Sequence, residues 1–184
     1  MQEPPHRKRV KHLPQPGVAR ELTFSCDQRR PLLTQDERHL ELLADSVHTA
    51  VRKQHFALTA FVFMPEHVHL LVQPTRPDAS VSKLLFAIKR PHSYRVKQIM
   101  LRESPATIDL LTVTERPGKT SFRFWQEGSG YDRGINTPKA HNASIEYIHA
   151  NPVRRGLCGH PGKWRWSSWH HYHHGRTEGL PTIQ

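Results

Sequence analysis

Two β-rich runs, residues 56–64 (FALTAFVFM) and 67–73 (HVHLLVQ), are separated only by Pro65 and Glu66. So short a break cannot hold a helix, and the runs are predicted to pair as a hairpin. Helical periods flank them. Within residues 35–55, Leu40, Leu43, Val47 and Val51 recur at three- and four-residue steps, behind Thr34 as predicted N-cap and Glu37 three positions on. Residues 80–102 repeat the period through Val81, Leu84, Leu85, Ile88, Val96, Ile99 and Met100; Pro91 interrupts it and predicts a kink or two helices. A short strand is predicted at 18–26 and another at 122–126 (FRFWQ), with a polar loop at 103–120. A third helix, 139–150, is predicted to stop at Asn151-Pro152. The order β-α-β-β-α-β, with a terminal helix, is that of the ferredoxin-like split βαβ. It implies an α+β domain with an antiparallel sheet of four or five strands and helices on one face.

With 184 residues the chain suits one domain, placed at 17–170. Residues 1–16, basic and Pro-rich, read as a flexible tail, and residues 171–184 as a second one. The cluster His170-His-Tyr-His-His174 at that end reads as exposed, with incidental metal affinity. No apolar run is long enough for a bilayer helix, and the N-terminus lacks the apolar core of a signal peptide. Cys26 and Cys158 make no metal pattern and fit a reducing compartment, so a cytoplasmic location is expected. Lys and Arg number 27 against 16 Asp and Glu, a formal charge of +11. Such a surplus favours a polyanionic partner, most simply nucleic acid.

Within the second β run, His67 and His69 stand two residues apart and therefore point to one face of a strand. Converging imidazoles make half of a divalent-metal site. The pattern alone is weak: among 15 histidines about one such pair arises by chance. In the third helix Tyr147 and Asn151 are four apart, on one face. Asn offers a carbonyl oxygen to a metal and Tyr a phenol, a weak nucleophile without help from its surroundings. Alone, each has a plainer reading: a packed aromatic, and a C-cap before Pro152.

Taken together they are more specific. The stretch Phe63-Met-Pro-Glu-His-Val-His-Leu-Leu-Val72 resembles the His-hydrophobic-His signature of the HUH single-tyrosine endonucleases and transposases. The stretch Tyr147-Ile-His-Ala-Asn-Pro-Val-Arg-Arg-Gly-Leu157 is similar to their tyrosine helix. More narrowly, both resemble the REP-associated tyrosine transposases, relatives of small insertion-sequence transposases. Residues 124–126, 131–133 and 164–168 are also similar to that group, so the likeness spans roughly residues 18–170.

The resemblance implies that His67, His69 and Asn151 bind a divalent metal and that Tyr147 attacks a scissile phosphate in single-stranded DNA. The products would be a 5′-phosphotyrosine link and a free 3′-OH, ready for the reverse attack without ATP. Two neutral imidazoles and an amide leave the ion's charge uncompensated. Weak binding of Mg²⁺ or Mn²⁺, completed by phosphate and water, is therefore expected, although zinc also tolerates His. Short REP-like hairpins are the implied substrate. Lys89, Arg90, Arg95, Lys97, Arg154 and Arg155 are candidate phosphate contacts, and Trp125, with Trp164 and Trp166, a candidate stacking platform. A monomer and a homodimer both fit. Competing readings are a non-catalytic hairpin-binding protein on the same scaffold, a replication or conjugation initiator of the HUH class, and, least favoured, an RNA-binding module.

Overall fold

The computed structural model describes residues 17–175 and 178–184, so the basic segment 1–16 lies outside the described residues. The chain runs β1 (Ala19–Ser25), α1 (Glu37–Lys53), β2 (Phe56–Phe63), β3 (His67–Pro74), α2 (Val81–Glu103), α3 (Pro105–Leu110), β4 (Thr112–Arg116), β5 (Lys119–Phe122), β6 (Tyr131–Ile135), α4 (Pro138–Arg154) and α5 (Trp169–His174). Four strands form one antiparallel sheet in the order β2-β3-β1-β6, while β4 and β5 form a separate hairpin. This is the split βαβ arrangement with four strands, β2 and β3 making the predicted hairpin.

The helices do not all lie on one face. Leu22, Phe24, Val68, Leu70 and Val72 point to the side covered by α1 and α2. Ala19, Leu71, Ala60, Val62 and Met64 point the other way, against Ile148 of α4. The reason is visible in β2 and β3, whose apolar runs leave no polar face for water to cover. Strand β2 serves both cores through a bulge between Leu58 and Ala60. Before it the even-numbered Phe56 and Leu58 face α1; after it Phe61 and Phe63 do, and the even-numbered residues turn to α4. The carbonyl of the extra residue, Thr59, accepts a hydrogen bond from Tyr172 Oη at 3.0 Å.

Several boundaries differ from those predicted. Helix α1 is capped by Asp36, whose side chain accepts from Arg38 N–H, because Thr34 is drawn into a 3₁₀ turn at Leu32–Thr34. Helix α2 runs unbroken through Pro91, whose ring faces solvent. Buried Ile88 and His92 hold it on either side, His92 Nε2 donating to His39 O at 3.0 Å. Helix α4 continues through Pro152 to Arg154, so Asn151 is a buried residue of its last turn and not a cap.

The fourth strand of the sheet is β6 rather than 122–126, where Phe122 ends β5 and Trp125 makes an isolated bridge to Cys26. An apolar pattern is missing in β6. It is held by charge across the pair, Arg20 to Asp132 at 2.7 Å and Arg133 to Glu21 at 2.7 Å. The predicted loop 103–120 contains α3 and the hairpin β4–β5, which turns at Pro117-Gly118 with Gly118 at φ +74. Near the end of the chain Leu180 and Ile183 pack on the larger core and Gln184 N–H donates to Leu58 O at 2.9 Å.

Candidate active site

Strand alternation puts His67 and His69 on the α4 face, opposite Ser25 and Thr23 of β1. Both side chains are buried, and their Nε2 atoms lie 3.0 Å apart. Burial pushes the His67 imidazole below its ordinary range, against a weaker pull from Glu66, and pushes His69 down to about 3. Both rings are therefore neutral near pH 7. Each outer nitrogen has a partner: His67 Nδ1 meets Glu66 Oε1 at 3.1 Å, and His69 Nδ1 meets Thr23 Oγ1 at 2.8 Å. The same Glu66 oxygen accepts from Arg155 Nη2 at 2.9 Å.

Helix α4 brings its chemistry to this pair. The Tyr147 ring meets the His69 ring edge to face, with centroids 5.8 Å apart, and stays 39% exposed, open to a substrate. The Arg154 guanidinium stands 5.1 Å above the Tyr147 ring. Buried Asn151 donates its amide N–H to Tyr147 O at 3.1 Å, which leaves Oδ1 as its acceptor. Three contacts pin the helix to the sheet and its rim: Ser144 Oγ to Glu21 Oε2 at 3.0 Å, His149 Nε2 with Ser168 Oγ at 2.8 Å, and Arg155 to Glu66.

The donor set fits a divalent cation. Two neutral imidazole nitrogens 3.0 Å apart can reach one ion with bonds of about 2.1 Å. Among the described residues no three His, Cys, Asp or Glu side chains cluster as a metal site. The histidines of α5 are engaged elsewhere, His173 stacking on Trp169 at 4.1 Å.

The expected DNA contacts divide. Arg90 lies over the exposed Phe86 ring and Lys97 over Phe122. With Lys89, Phe86 and Arg90 line a cleft of about 410 Å³ between α2 and residues 122–129. Lys89 donates to Gly128 O at 2.9 Å, and burial lowers its ammonium to about 8. Arg95 is tied to α1 through Asp45 Oδ2 at 2.5 Å and Leu42 O at 3.0 Å, so it braces two helices. Trp125 is 7% exposed, packed edge-on against Phe24 and Phe124, and it also lines this cleft. In the sequence Glu66 has two readings, orienting a ligand or capping a turn, and Thr23 has none, because its place depends on the β1–β3 register.

Residues 17–106 match the family model of the IS200-like transposases. The match takes in β1 to α2 and both histidines; Tyr147 and Asn151 lie beyond it. Among solved structures the fold is shared with a REP-associated tyrosine transposase bound to a REP hairpin, at 19% identity and a TM-score of 0.68, over 89% of this chain and 84% of that one. A candidate transposase from Deinococcus radiodurans R1 is also 19% identical, over 79% of this chain and 97% of that one, with a TM-score of 0.45. No curated protein matches the sequence.

Proposed function

We propose that this chain is a transposase that cuts and rejoins single-stranded DNA beside a hairpin. Tyr147 is its nucleophile, and a Mg²⁺ or Mn²⁺ ion is held by His67, His69 and Asn151. The family match over residues 17–106 and the shared fold support a transposase role. The observation that carries the finer reading is the meeting of Tyr147 with His69, which sets a solvent-accessible phenol beside two converging nitrogens.

Tyr147 Oη attacks the scissile phosphorus and the bond from phosphorus to the 3′ oxygen breaks. The phenol proton is lost to solvent and the departing oxygen takes one up, leaving a 5′-phosphotyrosine and a 3′-OH. The link is still a phosphodiester, so attack by a 3′-OH restores the strand and frees the phenol. The bound ion would polarise the phosphate and offset charge on the departing oxygen. Arg154, already over the Tyr147 ring, supplies positive charge where the phenolate and phosphate meet. Glu66 and Arg155 hold His67 in orientation. Arg90 and Lys97 on α2 supply sequence-independent phosphate contacts. The structural relative holds a REP hairpin, and a hairpin of that kind is the substrate we propose here.

The test is a cleavage assay with Mn²⁺ or Mg²⁺ and hairpin DNA from around the gene, beside Tyr147→Phe. A metal-dependent covalent adduct, absent in Tyr147→Phe, is expected on a denaturing gel. An adduct that survives in Tyr147→Phe moves the chemistry to another tyrosine. Tight hairpin binding with no adduct turns the reading to a non-catalytic DNA-binding protein.

A further inference from the structure

Trp125 is almost fully buried, yet its indole Nε1–H meets no acceptor among the described residues. A buried indole N–H ordinarily finds a partner, because a dry, unpaired donor is costly. Trp164 follows that rule and donates Nε1–H to Phe63 O at 2.9 Å. The Trp125 ring is held by Phe24, Phe124 and His92, each with its centroid 5.0 Å away. It also lines the cleft between α2 and residues 122–129. An acceptor brought into that cleft would complete it.

The other walls narrow the ligand. Phe86 is 61% exposed, a flat apolar ring open to the cleft. The Arg90 guanidinium stands 5.4 Å from its centroid and makes no ion pair among the described residues. Lys89 and Arg123 are engaged, with Gly128 O at 2.9 Å and Glu127 Oε1 at 2.6 Å. Among the described residues lining the cleft there is no carboxylate. Such walls suit a flat ring that carries acceptors and is joined to an anion, which describes a nucleobase on its phosphate. At about 410 Å³ the cleft is in the usual range for a small-ligand site. A base inside a duplex is stacked and paired, so only an unpaired one can enter. The cleft lies on the α1–α2 side of the sheet, and the histidine pair with Tyr147 on the α4 side. Both sit at one end of β1, where Cys26 bridges Trp125 and Ser25 faces His67. A strand held in the cleft therefore needs only to pass that end to reach Tyr147.

We propose that this cleft is a binding site for one unpaired nucleotide of the substrate strand. Phe86 stacks the base, Trp125 Nε1–H donates to an acceptor on it, and Arg90 pairs with its phosphate. The inference rests on the single-stranded DNA reading above. Removing one aromatic platform ordinarily weakens binding of a single strand by about tenfold or more.

The test uses the full chain with ¹⁵N-labelled tryptophans and a short thymidine oligonucleotide, without metal, so that binding is read apart from cleavage. The Trp125 N–H signal, identified by its loss in Trp125→Phe, should move as the oligonucleotide is added. The Trp164 signal, already bonded to Phe63 O, should stay. By fluorescence anisotropy Phe86→Ala should bind about tenfold more weakly and Trp125→Phe about fivefold, both with unaltered circular dichroism spectra. An oligonucleotide of abasic sugars should bind wild type and Phe86→Ala alike. An unmoved Trp125 signal on a strand that binds overturns the proposal, as does a Phe86→Ala protein that binds like the wild type. Thymidine monophosphate binding as tightly as the oligonucleotide would make the ligand a free nucleotide and overturn it too. Should Trp125→Phe fail to fold, the exposed Phe86→Ala variant decides it. A Trp125 shift with no adduct in the cleavage assay would refute the Tyr147 chemistry and leave this site standing; an adduct with an unmoved Trp125 signal would do the reverse.

Discussion

Glu21 is 5% exposed, a carboxylate on the α4 face of β1 that touches no proposed ligand. Its Oε2 accepts from Arg133 at 2.7 Å and from Ser144 Oγ at 3.0 Å, joining β1, β6 and the helix that carries Tyr147. The two bonds are unequal. The Arg133 side chain is 52% exposed, so water replaces most of what it loses and its share is about 0.5 kcal/mol. Ser144 is buried, and a hydroxyl bonded to a carboxylate there contributes about 1.5 kcal/mol. Glu21→Gln keeps an acceptor for Ser144 and should destabilise by about 1 kcal/mol. Glu21→Leu strands the hydroxyl and should destabilise by about 2 to 3 kcal/mol. Adding Ser144→Ala to Glu21→Leu should then recover part of the loss, because the stranded donor is removed. Urea unfolding followed by tryptophan fluorescence reads these differences as shifts in midpoint at constant slope. A neutral Glu21→Leu, or a Ser144→Ala that destabilises equally in both backgrounds, would refute the assignment of the bond to Ser144.

His92 is fully buried and held at about 3 by burial, with Arg95 and His39 adding to the effect and its bond to His39 O opposing it. The native state thus binds fewer protons than the unfolded chain. His92 stabilisation is complete above the ordinary value near 6.5 and is lost as pH falls towards 3, at up to about 1.4 kcal/mol per pH unit. Unfolding titrations of His92→Gln should show a shallower acid slope; an identical slope removes His92 from the acid transition. On hairpin DNA, Arg90→Ala should reduce the slope of log affinity against log salt by about 1, and Arg95→Ala should leave it unchanged. Equal effects would show that Arg95 leaves Asp45 for phosphate. Arg154→Ala should slow covalent adduct formation by about tenfold, equivalent to about 1.4 kcal/mol of barrier, with hairpin affinity changed by less. An equal loss in both would make Arg154 a binding residue only.

The apolar elements were legible in the sequence because their period is a direct record of burial. Strands β1, β2 and β3 and helix α1 all announce themselves through Val, Leu, Phe and Ala spacing. Strand β6 does not, since Tyr131-Asp-Arg-Gly-Ile135 is held by ion pairs whose partners, Arg20 and Glu21, are 112 residues away in the chain. The extra helix within 103–120 buries no residue fully, with Ile108 half-buried against the core, and carries little pattern, although Pro117-Gly118 marks the turn of the hairpin that follows it. The pairing of His67 with His69 follows from strand alternation alone. Thr23 could not be found that way, because cross-strand register decides it, and packing and stacking both stayed open for Trp125 because a tryptophan looks the same in sequence whether buried or exposed. Pro152 misled for a related reason: packing of Asn151 and Pro152 outweighs the local tendency to end the helix.

The bulge at Thr59 has a consequence for how this chain tolerates change in length. Upstream and downstream of it, β2 is written in opposite phases, one odd and one even, each legible to a different set of neighbours. Excising Thr59 alone would bring the two halves into a common phase. Leu58 would then adjoin Ala60 as Val72 adjoins Leu71 on β3, so Phe61 and Phe63 keep the α1 side and Ala60 and Val62 the side beneath Ile148; what is lost is the Thr59 carbonyl that Tyr172 Oη bonds. A deletion at Thr59 should therefore leave both cores assigned as they are and cost mainly the bond to Tyr172, so the bulge is a place where β2 can change its length by one residue without changing what either side reads.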